Sequence, residues 1–286
     1  MSHELSQTAL TAAAARAAHL IVDHEPLIFA DPLAAPLLGD RGAEFIGYHR
    51  AHGTHLVLSA ARGQVICRSR YAEDALADRV RQGLTQYIIL GAGLDSFAYR
   101  SPFARQVQVY EVDRPATQRW KRAALDAARI GVPGTVTFVP VDFEADSLAG
   151  ALASGGLDLS RPALVSWLGV TMYLTRQAVG QALAELAGLA PGSEIIADYM
   201  LPAPLRDSDG STYAELVMPS AAAGGEPWRT FLRPEEMSAL LAEHGFGATA
   251  HIRQRDQVSP ELWERSDSLH PIELSVVAHA VRGHPV

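Results

Sequence analysis

Five short apolar runs rich in β-prone side chains punctuate the chain, at residues 87–90, 107–110, 136–141, 163–168 and 194–199. The first three end on Gly91, Glu111 and Asp142. Between the runs lie stretches such as 116–130 and 177–190, whose apolar residues recur every three or four positions. Strands alternating with helices of this length predict a parallel sheet covered on both faces, because a parallel connection needs a crossover. The end of the chain breaks the alternation. Runs at 248–252 and 274–280 are separated only by the loop 253–271, which predicts a closing antiparallel pair. The expected fold is α/β: a seven-stranded sheet, mostly parallel with an antiparallel last strand, helices on both faces.

Two regions stand outside this rhythm. Residues 1–60 are helical in pattern but broken at Pro26, Pro32 and Pro36. Proline removes a donor and clashes with the preceding turn, so residues 1–80 read as an N-terminal cap of several helical pieces. Residues 201–231 carry four prolines, Gly224-Gly225, and the large side chains of Tyr213, Met218, Trp228 and Phe231. A long loop in a compact domain predicts an inserted lid, its aromatics needing burial.

Composition narrows the class. At 286 residues the chain fits one domain over 1–286, with the cap followed by an α/β core at 81–286. Apolar residues at 48% and charged residues at 20% exclude a disordered chain. A net charge of −8 argues against a nucleic-acid partner. No apolar run approaches the roughly 20 residues of a membrane span, and no basic segment leads the alanine-rich N-terminus, so neither a membrane anchor nor a secretory leader is expected. The expected location is cytoplasmic. Cys67 is the single cysteine, read as a buried side chain. His49, His52 and His55 recur every three residues, but Gly53 breaks the helix that would align them, so exposed polar residues are expected and no metal.

The chemistry concentrates at the strand ends. Leu90-Gly91-Ala92-Gly93-Leu94-Asp95-Ser96 follows the first strand, and two glycines there let backbone amides approach a ligand where a Cβ would clash. Ser96 stands where a dinucleotide turn would carry a third glycine. Glu111-Val112-Asp113 follows the second strand about twenty residues on, placed to accept from ribose hydroxyls. Asp142-Phe143 follows the third, able to accept from an exocyclic amine and donate a backbone amide. In sequence these describe an adenosine pocket. Upstream, Arg68-Ser69-Arg70 opens an expected helix and offers guanidinium groups to a carboxylate. An adenosine end and an amino-acid end together specify S-adenosyl-L-methionine. A nicotinamide-dependent oxidoreductase would share the glycine turn and ribose acid, and a non-catalytic binding protein could share the scaffold.

These residues carry a resemblance to the leucine carboxyl methyltransferase family, within the class I S-adenosyl-L-methionine-dependent methyltransferases with a Rossmann-like sheet. Arg68-Ser69-Arg70, the 90–96 turn, Tyr110-Glu111-Val112-Asp113-Arg114-Pro115 and Val139-Pro140-Val141-Asp142-Phe143 all fit. So do Met172-Tyr173-Leu174 and Phe29-Ala30-Asp31-Pro32-Leu33-Ala34, as in its large bacterial branch. The resemblance implies that Arg70, with Arg68, holds the cofactor carboxylate. Gly91, Ala92, Gly93 and Asp95 would line the methionine part, Asp113 with Glu111 the ribose, and Asp142 with Phe143 the adenine. Where members often carry a glutamate for the cofactor amino group, this chain has Leu168. That contact would then fall to backbone carbonyls or come from elsewhere.

The resemblance implies an O-methyltransferase acting on a small-molecule or peptide carboxylate, with a phenol or alcohol as the alternative acceptor. A carboxylate needs no general base at neutral pH, whereas a hydroxyl does. No such base stands out, and no catalytic residue is assigned. Tyr173 and Tyr199, near strand ends, are expected to position the acceptor, with Tyr213 and Trp228 of the lid. Nothing in the sequence reports the oligomeric state.

Overall fold

The computed structural model describes residues 6–283. The cap consists of α1 (Gln7–Val22), α2 (Ala34–Leu37), α3 (Gly42–His52) and the long α4 (Leu56–Arg81). The wound part follows as β1 (Gln86–Leu90), α5 (Phe97–Arg100), β2 (Gln108–Asp113), α6 (Pro115–Ala127), β3 (Val136–Pro140), α7 (Leu148–Ser154), β4 (Leu164–Trp167), α8 (Arg176–Leu186) and β5 (Glu194–Met200). Then come α9 (Ser208–Ala223), α10 (Pro234–Glu243), β6 (Phe246–Arg253) and β7 (Ser275–Arg282). The strand order is β3-β2-β1-β4-β5-β7-β6, with β7 antiparallel to both neighbours and the other strands sharing one direction. The seven expected strands are all present.

Every residue of β1 is buried, as is every residue of β4 and β5. A central parallel strand is covered on both faces, so it reads as an unbroken apolar run. The pleat sends alternate side chains to different cores. Ile88, Leu90, Tyr110, Val112 and Trp167 pack with α7, α8 and α10, while Tyr87, Ile89, Val109 and Leu164 pack beneath α4 and α5.

The boundaries differ from expectation in three places. The strand expected at 107–110 runs to Asp113, so Glu111 lies inside the sheet rather than at its edge. The helix around Arg68 begins at Leu56, twelve residues earlier, and stacks the cap on the wound sheet. The 201–231 insertion is mostly the sixteen-residue helix α9, which carries Pro219 within it. Its start is fixed by the Asp207 side chain, which accepts from the Gly210 amide at 2.7 Å.

Candidate active site

The chain winds outward from β1 to β3, then returns to the other side of β1 and winds outward again through β4 and β5. The carboxyl ends of β1 and β4 therefore flank a topological switch point, the place where open α/β sheets bind ligands. A cavity of about 730 Å³ opens there, within the range of small-molecule sites. Its walls come from α1, α3, α4, the strand-end turns and α9.

Gly91, Ala92, Gly93 and Asp95 all line it. Gly91 has φ +69° and Gly93 φ +44°, in the left-handed region that favours glycine. The first amides of this turn are already committed. Gly91 N and Ala92 N donate to the Val112 carbonyl at 2.8 and 3.0 Å, and Gly93 N donates to Asp113 Oδ2 at 2.6 Å. The glycines thus supply a left-handed backbone and room for Val170 and Ala9 to close against the turn, rather than the free donors expected of them. A Cβ on Gly91 would collide with Val170 Cγ2 from the turn after β4.

Asp113 terminates β2 and lines the cavity. Its other oxygen accepts from the Arg114 amide at 2.7 Å. Each carboxylate oxygen keeps acceptor capacity beyond these bonds, which suits a pair of ribose hydroxyls. Burial pushes this carboxyl above its usual range, while the Gly93 and Arg114 amides hold it back. Asp142 and Phe143 lie on the same wall, and Phe143 packs on Trp167 with ring centroids 6.1 Å apart. Leu168 lines the cavity too, with an apolar side chain where a carboxylate was looked for.

Of the two arginines, Arg68 alone reaches the cavity. Residues two apart on a helix point to different sides, so both could not. Arg70 lies on the outer side, its Nε 2.6 Å from Asp74 Oδ2 and its Nη1 bonded to the Ile28 carbonyl. Arg68 Nη1 donates to Asp198 Oδ2 at 2.7 Å. Asp198 was not singled out above, although an acid inside the apolar 194–199 run is itself a signal, since a buried carboxylate needs partners. Glu111 stands apart from the cavity as well. It is buried, with its Oε2 2.7 Å from the Nζ of Lys121, the chain's only lysine.

The far end of the cavity is aromatic. Tyr173, Tyr213 and Trp228 line it, and the Tyr213 and Trp228 rings stack at 6.4 Å and 25°. Burial raises the Tyr173 hydroxyl to about 12, with Arg68, Trp228 and Thr8 opposing. Burial raises Tyr213 likewise. Both phenols are protonated donors at neutral pH, as tyrosines ordinarily are, and the buried indole Nε1 of Trp228 is a third donor, without a hydrogen-bond partner among the described residues. Tyr199 does not join them. Alternation along β5 turns it to the opposite face from Asp198 and Met200, where its hydroxyl lies 3.0 Å from His251 Nδ1.

The acids and bases on this side are already engaged. Glu226 accepts from Ser6 Oγ at 2.7 Å and Thr8 N at 3.1 Å, tying the segment after α9 to the start of α1. His49 is buried rather than exposed as expected, with Nδ1 3.2 Å from Arg62 Nη1. Burial, aided by the Arg62 charge, lowers its pKa to about 4, so it is neutral at pH 7. His52 packs on Tyr48, and His55 caps α4 by accepting from Val57 N. Cys67 is fully buried, with its thiol pKa raised.

Comparison with known proteins bears on the family and the fold. The family model for leucine carboxyl methyltransferase matches residues 9–187. A Bacillus subtilis (strain 168) protein, YktD, named as a candidate S-adenosyl-L-methionine-dependent methyltransferase, is 32% identical over 98% of this chain and 99% of its own. A similarly named Mycobacterium marinum (strain ATCC BAA-535 / M) protein is 32% identical over 89% of this chain and 86% of its own. The crystal structure of a candidate methyltransferase from Thermobifida fusca YX superposes with TM-score 0.62 at 16% identity, covering 99% and 97% of the two chains. Human N-acetylserotonin methyltransferase in complex with S-adenosyl-L-methionine gives 0.50 at 15% identity, over 85% of this chain and 60% of that one. At such identities these structures speak for the fold alone.

Proposed function

The chain belongs to the leucine carboxyl methyltransferase family of S-adenosyl-L-methionine-dependent methyltransferases, and from that premise we propose that it methylates a carboxylate oxygen of a small molecule or peptide. The observation that carries the reading is the aromatic end of the cavity, which offers three protonated donors while its nearby acid and base are engaged elsewhere. Tyr173, Tyr213 and Trp228 present O–H and N–H groups. Glu226 is bound to the start of α1, and His49 is held neutral against Arg62. An ionised carboxylate is already a nucleophile and needs donors to orient it. A hydroxyl would need a base to take its proton.

The residues present fit the cofactor. Gly91 and Gly93 let the turn take a left-handed backbone at the cavity, Asp113 keeps acceptor capacity for the ribose, and Asp142 with Phe143 would form the adenine wall. Arg68 would hold the amino-acid carboxylate with the guanidinium N–H groups that Asp198 leaves free. The Leu168 side chain carries no charge, so contacts to the cofactor's ammonium would have to come from backbone carbonyls or from elsewhere. When bound, S-adenosyl-L-methionine supplies a methyl group on a sulfonium already activated for in-line displacement. The work of the chain is then to align the acceptor and exclude water, which is worth roughly 7–11 kcal/mol where the geometry is right. Tyr173 and Trp228 would hold one carboxylate oxygen of the acceptor and leave the other free to attack the methyl group.

The test is methyl transfer from cofactor labelled in the methyl group to a panel of carboxylic acids, phenols and alcohols. Methyl esters release volatile methanol in mild base, and methyl ethers do not. Volatile label with acids supports the reading. Transfer confined to base-stable products from phenols or alcohols would overturn it.

A further inference from the structure

We propose that Asp198 is a positioning residue that sets the affinity of the cavity for the amino-acid end of the cofactor by aiming the Arg68 guanidinium; the inference rests on the reading of Arg68 given above. Three elements meet at this carboxylate. Asp198, on β5, is fully buried. Its Oδ2 accepts from Arg68 Nη1 of α4 at 2.7 Å, and its Oδ1 accepts from the Gly169 amide after β4 at 2.6 Å. Gly169 has φ +73°, and a Cβ built there would stand 2.5 Å from Arg68 Nη2. The turn after β4 is thus shaped around the guanidinium. Among the described residues the carboxylate of Asp198 is the one hydrogen-bond partner of Arg68, whose side chain is 13% exposed. Its remaining N–H groups are available in a cavity wall.

The arrangement separates orientation from charge. Asp198 cancels the charge of Arg68, so the pair attracts an incoming carboxylate by directed hydrogen bonds more than by net charge. Without Asp198 the long Arg68 side chain regains its rotamers and must be ordered by the ligand itself. Asp198→Asn keeps an oxygen for the Gly169 amide but turns an N–H donor toward Arg68. It also makes the site more positive. If net charge governed affinity, this variant would bind a carboxylate ligand more tightly; positioning requires the reverse.

The experiment titrates the full chain with S-adenosylhomocysteine and with 5′-methylthioadenosine, which keeps the adenosyl group but lacks the amino-acid end. Asp198→Asn is expected to weaken S-adenosylhomocysteine about ten- to hundredfold, the scale for a displaced or unsupported polar contact. Its affinity for 5′-methylthioadenosine is expected to stay at the wild-type value. Arg68→Met should lose S-adenosylhomocysteine similarly, and adding Asp198→Asn to it should cost nothing further. Unchanged or tighter S-adenosylhomocysteine binding by Asp198→Asn, or equal losses for both ligands, overturns the inference while leaving Arg68 in place. Wild-type affinity in Arg68→Met overturns the reading of Arg68 and this inference with it. If Asp198→Asn does not fold, Gly169→Ala carries the same test, because its Cβ displaces the guanidinium while Asp198 remains. The same selective loss supports the inference, and unchanged affinity refutes it.

Discussion

Gly91→Ala asks what the glycine turn is for. Because the Gly91 and Ala92 amides are spent on the Val112 carbonyl, the turn is expected to need glycine for conformation and room. Two costs follow from the structure. At φ +69° an alanine pays about 1–2 kcal/mol for the left-handed backbone. Its Cβ would also fall on Val170 Cγ2, and a β-branched side chain has little freedom to turn away. Overpacking of that kind adds about 1–3 kcal/mol, so the variant should lose about 2–5 kcal/mol of stability. The measurement is urea unfolding of Gly91→Ala, Val170→Ala and the double variant. Removing Cγ2 should recover the steric part but not the backbone part, giving a favourable coupling of about 1–3 kcal/mol in the cycle. Gly93→Ala is the internal control. Its φ is +44° but its Cβ would lie 3.3 Å from Ala9 Cβ, so the backbone cost of about 1–2 kcal/mol should dominate. A Gly91→Ala variant as stable as wild type, or a cycle with no coupling, would refute the account.

Three further outcomes are expected. Lys121→Met should cost about 3–5 kcal/mol in urea unfolding, because it strands the buried Glu111 carboxylate, and Glu111→Gln in the same chain should return part of it. Arg70→Ala should leave S-adenosylhomocysteine affinity unchanged and cost about 0.5–1.5 kcal/mol of stability, since its pair with Asp74 is exposed and the part-buried bond to the Ile28 carbonyl carries the rest. His49 is held neutral down to about pH 4, so the unfolded chain takes up its proton first as pH falls below 6.5. Wild-type stability should therefore drop by about 3 kcal/mol more than that of His49→Asn between pH 6.5 and 4, read from urea unfolding across that range.

How far the sequence could be read depended on whether the information was local. The central strands β1, β4 and β5 were legible because each is a fully buried, largely apolar run. Gly91, Gly93, Asp113, Asp142 and Phe143 were legible because each stands at or within three residues of a strand's carboxyl end, and a parallel sheet collects such ends at one edge. Glu111 was misplaced by two residues of strand length, which exchange a strand end for the sheet interior. Arg68 and Arg70 look alike in sequence, and only the phase of α4 separates them. Tyr199 was lost to strand alternation in the same way. Asp198 had a signal that went unused: a carboxylate in a buried strand must be satisfied, and the arginine that satisfies it lies 130 residues away.

That distance is typical of how this cavity is assembled, and it changes what the cap is. Read along the sequence, residues 1–80 precede a core that already contains a glycine turn and its acids. In the fold, Arg16 of α1 donates to the Leu94 carbonyl inside the glycine turn at 2.6 Å and to Asp31 at 2.7 Å. Arg100, just past that turn, pairs with Glu73 of α4 and lies 3.5 Å from the same Asp31. Arg62 binds both oxygens of Asp23, together with the Gly53 carbonyl. Glu226 joins the lid segment to the start of α1. Each of these contacts is a charged group, buried or partly buried, and removing one partner exposes the other to a desolvation cost it cannot recover. The glycine turn is therefore held from above by the cap as well as from below by β1. A chain beginning at residue 81 would lose Arg16, Arg68 and Glu73 together and keep the motif without the contacts that shape it. The cap is part of the site.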